Sequence, residues 1–215
     1  WATYEPATQW QDAENTGLGE IDTPGNYELA QRSSSRTDVY SLVAALASSG
    51  LGYLYESPTG QIGYADSTHR TNYLALNGYV ELTANHALAS GLSIQSRTGD
   101  VRNNITIQYG QNSQNETSAS DIASIGLYGQ LSQIFTTTLR HLHDAEDQAD
   151  FYLALRAYPR FNFNNITFEL TNPELDDADR DDLINVFMGM PVEIADLPLN
   201  MNSGDYLGFV EGWTF

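Results

Sequence analysis

The 215-residue chain is 41% hydrophobic, enough for one or two domains with ordinary apolar cores, and no window approaches the ~18 uninterrupted apolar residues of a membrane-crossing helix. Nine basic residues, every one arginine, stand against 28 acidic residues for a formal net charge of -19, and a surface this acidic repels phosphate backbones and anionic lipid heads. The chain has no cysteine, which excludes disulfides, thiolate metal centres and a cysteine nucleophile.

Residues 1 to 37 carry turn signals at Thr23-Pro24-Gly25-Asn26 and a Ser33-Ser34-Ser35 run, and read as loops joining short strands. The first residue is Trp1 rather than methionine, so a processed chain or a piece of a longer protein is expected. From Thr37 the pattern changes. Val39, Leu42, Val43 and Leu46 fall at i, i+3, i+4 and i+7, which predicts a helix capped by Thr37 or Asp38 and stopped at Ser48-Ser49-Gly50, the glycine taking the left-handed position. Gly52 to Asp66 reads as a hairpin whose two tyrosine-rich strands are joined by Ser57-Pro58-Thr59-Gly60.

Further along, Leu74 to Leu82 reads as a strand with alternating faces, Ile105, Ile107 and Tyr109 alternate in another, and residues 110 to 120 read as a polar loop. A second helix, 144–157, is expected from Asp144, with Asp144 and Asp147 as a capping box and Ala145, Ala149, Tyr152 and Leu153 on one face; Tyr158-Pro159 ends it. Ile166, Phe168 and Leu170 alternate, as do Val192 and Ile194, and Phe209 to Phe215 places three aromatic residues on one strand face. These elements define an α+β fold, mostly antiparallel, with one helix in each half.

Several patterns invite a chemical reading. His141-Leu142-His143-Asp144 has the paired histidines of binuclear zinc hydrolases, but only His69 and His86 remain as further histidines, neither in a ligand motif, and Asp144 is expected to cap a helix. In the run 176–182, Asp177, Asp179 and Asp181 alternate as in a calcium loop. The glycine expected at the sixth position is Asp182 and the closing glutamate is Met188, so the run reads instead as a helix start favoured by the dipole. Asn104, Asn115 and Asn165 each begin an Asn-x-Thr sequon that could accept a glycan in a secreted eukaryotic protein; two of them sit in or beside expected strands with Asn and Thr on one face, where polar-face chemistry explains them. Nucleophile-elbow, phosphate-loop and dinucleotide motifs are absent. No catalytic, cofactor-binding or metal residue is assigned, and the chain is not read as an enzyme.

Three segments together resemble a known family. Val39 to Asp66, above all Ala47-Ser48-Ser49-Gly50-Leu51-Gly52-Tyr53-Leu54-Tyr55-Glu56 and Gln61-Ile62-Gly63-Tyr64, resembles a segment of hub-like minor tail proteins of long-tailed bacteriophages. Asn104 to Tyr109, Asp121 to Ile125 with Tyr128-Gly129, and the Asp147–Leu155 helix with Pro159 are similar to the part that follows in those proteins. Ile166 to Leu170, Met190-Pro191-Val192-Glu193-Ile194 and Gly208 to Trp213 resemble their C-terminal end, especially in actinobacterial phages. The resemblance runs in order over residues 27 to 215 and departs at the front, where the barrel domain of a full hub is absent or reduced to residues 1 to 37.

What the resemblance implies is a structural subunit of a tail tip or baseplate hub: a homo-oligomeric ring, usually threefold, that closes the tail tube below the tape measure protein and contacts the distal tail protein, tip and fibres. It implies a location in the virion after assembly in the host cytoplasm, with DNA passing through the lumen without specific binding and with no membrane segment. It further implies three regions: a remnant N-terminal strand and loop region at 1–37, a helix–hairpin hub domain at 38–100 and a tube-like β-barrel domain with one packed helix at 101–215. Tyr53, Tyr55, Tyr64, Tyr206, Phe209, Trp213 and Phe215 are the candidate interface residues, with the alternative that the C-terminal aromatics fill the barrel's own core. Two other functions stay open. The tyrosine content and polar surface suit a virion receptor-binding or carbohydrate-binding module, and unplaced carboxylates leave a tail-associated cell-wall hydrolase.

Overall fold

The computed structural model describes residues 19–21, 26–32, 36–56, 62–88, 93–96, 98–160, 162–197 and 205–215, and these form an α+β fold. Contacts divide the chain into two units that interleave along it. The first takes Trp1–His69 with Thr98–Pro159, and the second takes Arg70–Arg97 with Arg160–Phe215. This division cuts across the boundaries expected after residues 37 and 100.

The first unit holds two three-stranded sheets. In one, β1 (Gly19–Ile21) runs parallel to β3 (Ile62–Ala65), which pairs antiparallel with β2 (Tyr53–Glu56). The β2–β3 pairing is the expected hairpin; its turn at 57–61 lies outside the described residues. Helix α1 (Val39–Ser49) precedes it, capped by Asp38, whose carboxylate accepts a 2.8 Å hydrogen bond from the Ser41 amide. The helix stops at Ser49 with Gly50 as its C-cap, as expected, but Gly50 has φ -89° and the left-handed conformation falls one residue later, on Leu51 at φ 55°. The expected helix face is also only half right, because Val39 is 53% exposed whereas Ala47 and Ser49 are buried.

The other sheet has the order β7–β6–β8, from β6 (Asn104–Tyr109), β7 (Asn115–Ser120) and β8 (Ser132–Thr136), with β6 antiparallel to β7 and parallel to β8. The expected polar loop at 110–120 is thus a tight turn followed by a strand. β7 carries small and polar residues because only Thr117 and Ala119 face inward, so no large apolar alternation betrays it. β7 ends and β8 begins at the same end of β6, opposite Asn104, so the chain passes over that end between them through the short helix α3 (Ile122–Tyr128), which the sequence reading missed.

Helix α4 (Leu142–Arg156) covers the inner face of this sheet. Its Ala145 and Ala149, one turn apart and buried, let the backbone lie close to β6 and β7. The core joins them to Ile105, Ile107 and Leu139, with Tyr152 stacked on Phe135 at a centroid distance of 4.2 Å. Each fully buried isoleucine contributes roughly 1.5–3 kcal/mol. The expected Asp144 cap is corrected: the N-cap position is His141, whose side chain makes no capping bond to the helix, and Asp144 lies in the first turn, where the helix dipole still favours it. Segment 28–30 pairs with 138–140 through Ala30 N–H to Thr138 O (2.7 Å) and Arg140 N–H to Glu28 O (2.9 Å), so part of the expected N-terminal remnant belongs to this unit's core.

In the second unit, Leu74 to Leu82 is corrected from one strand to helix α2 (His69–Asn77) followed by β4 (Val80–Thr83), separated by Gly78 at φ 76°. β4 runs parallel to β10 (Pro191–Ala195), which pairs antiparallel with β11 (Tyr206–Phe209). Leu82, Ile194 and Leu197 form the core with Val80, Phe168, Leu183 and Tyr206 packed on it. β5 (Ser93–Gln95) pairs with β9 (Asn162–Asn165), and the expected 166–170 strand reduces to one bridge, Ala87 to Phe168. The acidic run is helix α5 (Asp177–Ile184), with a reciprocal capping box between Asp176 and Asp179. Among the described residues four strand pairings are antiparallel and three parallel, and no helix is long and apolar enough to cross a membrane.

Candidate functional site

The candidate interface residues fall in two groups, one in each unit. Tyr53 and Tyr55 alternate with Leu54 along β2, so both rings project from one face of the hairpin, where they enclose His69. The three ring centroids lie 5.9 to 6.1 Å apart, with Tyr53 and His69 edge to face at 89°. Tyr64 turns its hydroxyl toward the end of α1, within reach of Gly50 and Gly52. All three tyrosines are half-buried in contacts of their own unit. On the opposite face, Leu29, Val43, Leu46, Leu54, Ile62, Gly63 and Tyr64 line an apolar cavity of ≈ 280 Å³.

In the second unit, Tyr206 packs on the core and its ring covers Gly208. Phe209 lies under the Arg70 guanidinium, 5.3 Å from its centroid, while Arg70 also pairs with Glu211. β11 ends at Phe209, so the expected strand through Phe215 is corrected. Val210 makes the last sheet-like bonds, with Gly189 and Met190, and Trp213 and Phe215 are 43% and 82% exposed. Two of the four C-terminal aromatics therefore belong to a local packing cluster and two stand at the surface.

The histidine pair does not converge. His141 Nε2 is 2.7 Å from Glu28 Oε2, whereas His143 Nε2 is 3.6 Å from Asp147 Oδ2. Glu28 also takes the Arg140 guanidinium on its other oxygen. The hydrogen bond with His141 holds the Glu28 carboxyl below its ordinary value; desolvation opposes it, and the hydrogen bond and charge of Arg140 add to the lowering. Asp177, Asp179 and Asp181 sit on a helix rather than a chelating loop. Beside them Asp182 is pushed up, first by partial burial and then by Asp181, Asp179 and Asp176.

The β7–β6–β8 sheet presents a different kind of surface. Its outer face is polar and internally bonded: Thr106 with Ser118 (2.8 Å), Thr136 Oγ1 donating to Gln108 (2.8 Å) and Asn104 Nδ2 donating to Ser132 (3.1 Å). Its two outermost strands are nearly free of charge. β8 has none, and β7 has only Glu116. Ile134, in the middle of β8, is 62% exposed.

The sequence reading also passed over the apolar residues on the outside of α3 and α4. Phe151, Leu155 and Tyr158 recur at i, i+4 and i+7 and are all exposed, as are Ile122 and Leu127 on α3. The helical period was visible for this stripe, but the competing stripe of Ala145, Ala149 and Tyr152 faces the core. Compared with protein-family models and with curated proteins, the chain has no match in either.

Proposed function

We propose that the chain is a structural subunit of a phage tail tip or baseplate hub, assembling as a ring of identical copies rather than acting as a catalyst. The observation that carries this reading is the pair of outer strands, β7 with a single charge at Glu116 and β8 with none, in a chain of net charge -19. Sheet edges are normally guarded by charged side chains or proline, because an open edge templates pairing with another chain. Here β8 has no such guard and β7 has only Glu116.

β7 and β8 run in opposite directions, since β6 is antiparallel to one and parallel to the other. A rotation about an axis parallel to the strands preserves strand direction, so in such a ring β8 of one copy meets β7 of the next antiparallel, and repeated head-to-tail contacts close it. The contact brings one carboxylate, Glu116, to each junction, so repulsion between these acidic chains is smallest there. The ordered resemblance of residues 27 to 215 to hub-like minor tail proteins supplies the tail, with the tape measure and distal tail proteins as neighbours.

Native mass spectrometry tests the assembly, and electron microscopy of immunolabelled particles tests the location. A threefold ring that Ile134→Lys dissociates, with label at the tail tip, is the expected result. A monomer that binds host glycans replaces this reading with the receptor-binding one.

A further inference from the structure

We infer that neighbouring copies join in one fixed register, with Ser132, Ile134 and Thr136 of β8 opposite Ser120, Ser118 and Glu116 in β7 of the next copy. This rests on the proposed ring and specifies its contact residue by residue.

The hydrogen bonds inside the sheet decide which backbone groups its two edges present. Thr137 N–H donates to Gln108 O at 2.9 Å and Asn104 N–H donates to Leu131 O at 3.3 Å, so the even-numbered residues of β6 bond to β8. Successive residues of a strand direct their N–H and C=O groups to opposite sides, which leaves the odd-numbered residues of β6 for β7. The Asp121 amide, bonded to Asn103 O at 3.0 Å, continues that phase. Ser132, Ile134 and Thr136 therefore point their N–H and C=O groups away from β6 on one edge, and Glu116, Ser118 and Ser120 do so on the other. All six residues are exposed, and these backbone groups have no hydrogen-bond partner among the described residues.

The two edges fit each other. Each offers three residues, and the side chains of all six lie on the polar face of the sheet, in rows with Asn104, Thr106 and Gln108. Antiparallel pairing of β8 with β7 thus continues both faces without a flip. In the stated register all three outward residues of each edge pair, with two hydrogen bonds to a pair. On the inner face it sets Phe135 beside Thr117 of the next copy, an aromatic against a β-branched residue. A slip of two residues keeps the faces but loses one of the three pairs. In one direction it places Ile134 against the Glu116 carboxylate, and in the other it carries Ser132 past the end of β7 to Ile122.

Engineered disulfides read the register, because the chain has no cysteine of its own. Ser118→Cys with Ile134→Cys brings the two Cα atoms to ~5.5 Å across the junction, within disulfide reach. Inside one copy β6 separates the same positions by about 10 Å, which is too far. Under mild oxidation this variant is expected to give a ladder of cross-linked species on a non-reducing denaturing gel, ending at the copy number of the ring. Glu116→Cys with Ile134→Cys and Ser120→Cys with Ile134→Cys report the two slips, and both are expected to cross-link at least ~10-fold more slowly. Circular dichroism matching the parent keeps the comparison among folded chains, since all four positions are exposed. Rings in native mass spectrometry that cross-link faster through a slipped pair overturn the register and leave the ring in place. Dimers formed by Ser118→Cys alone reveal a twofold β7–β7 contact and overturn both, as does a chain that stays monomeric and cross-links in no variant.

Discussion

Tyr55 and Gly63 face each other across the β2–β3 pairing, and the Tyr55 ring occupies the space that a Cβ on Gly63 would take. The glycine is thus set by close approach, with the ring shielding a position that lacks a side chain. Gly63→Ala is expected to lower unfolding free energy by roughly 1–3 kcal/mol through overpacking. Combined with Tyr55→Ala, the loss should be smaller than the sum of the single losses. Strict additivity in chemical denaturation would show that the ring does not rest on the glycine.

Asn103 is fully buried and joins three chain segments. Its Nδ2 donates to Gly129 O at 2.7 Å and to Ser124 Oγ at 3.3 Å, and its Oδ1 accepts from the Leu131 amide at 2.8 Å. Asn103→Ala should destabilise the chain by about 3 kcal/mol, because buried polar partners are left unpaired. Denaturant melts measure this, and a loss no larger than that of a surface substitution would contradict the role of Asn103.

The Glu28 carboxyl is depressed in the fold, so the stability it adds is present above the unfolded carboxyl value and is lost as pH falls through the lower folded value. Glu28→Gln should therefore be less stable than the parent at neutral pH. The gap should close on acidification below the folded value. A gap that persists in strong acid would assign the loss to something other than the carboxylate's charge.

Asp182 has the opposite sign. Its folded value is raised, so its favourable contribution is present below the unfolded value and disappears as pH rises through the folded one. Asp182→Asn should raise stability at neutral pH and lose that advantage in acid. A neutral-pH loss would mean that the carboxylate makes a favourable contact outweighing Asp181, Asp179 and Asp176.

Much of the α+β class was legible because α1, the hairpin, β6 and α4 carry clean periods of 3.6 or 2. Elements with weak or mixed patterns were not. Leu74 and Leu76 mimic strand alternation, yet Gly78 at φ 76° ends a helix there, and punctuation rather than periodicity was the usable signal. α3 is likewise bracketed by Asp121, which accepts from the Ser124 amide at 2.9 Å, and by Gly129 at φ 77°. Tyr53 and Tyr55, two of the tyrosines proposed for an interface, share their rings with His69 inside one unit, a tertiary closure that no spacing in the chain encodes.

The interleaved units also govern synthesis and truncation. Leu29 must wait for Leu139, and Val80 for Val192, before either can pair. A nascent chain therefore carries both incomplete cores at once, with long loops to close late, which slows folding and lengthens exposure to chaperones. Cutting after residue 100 divides both units, so fragments made there inherit two half-cores rather than one intact domain.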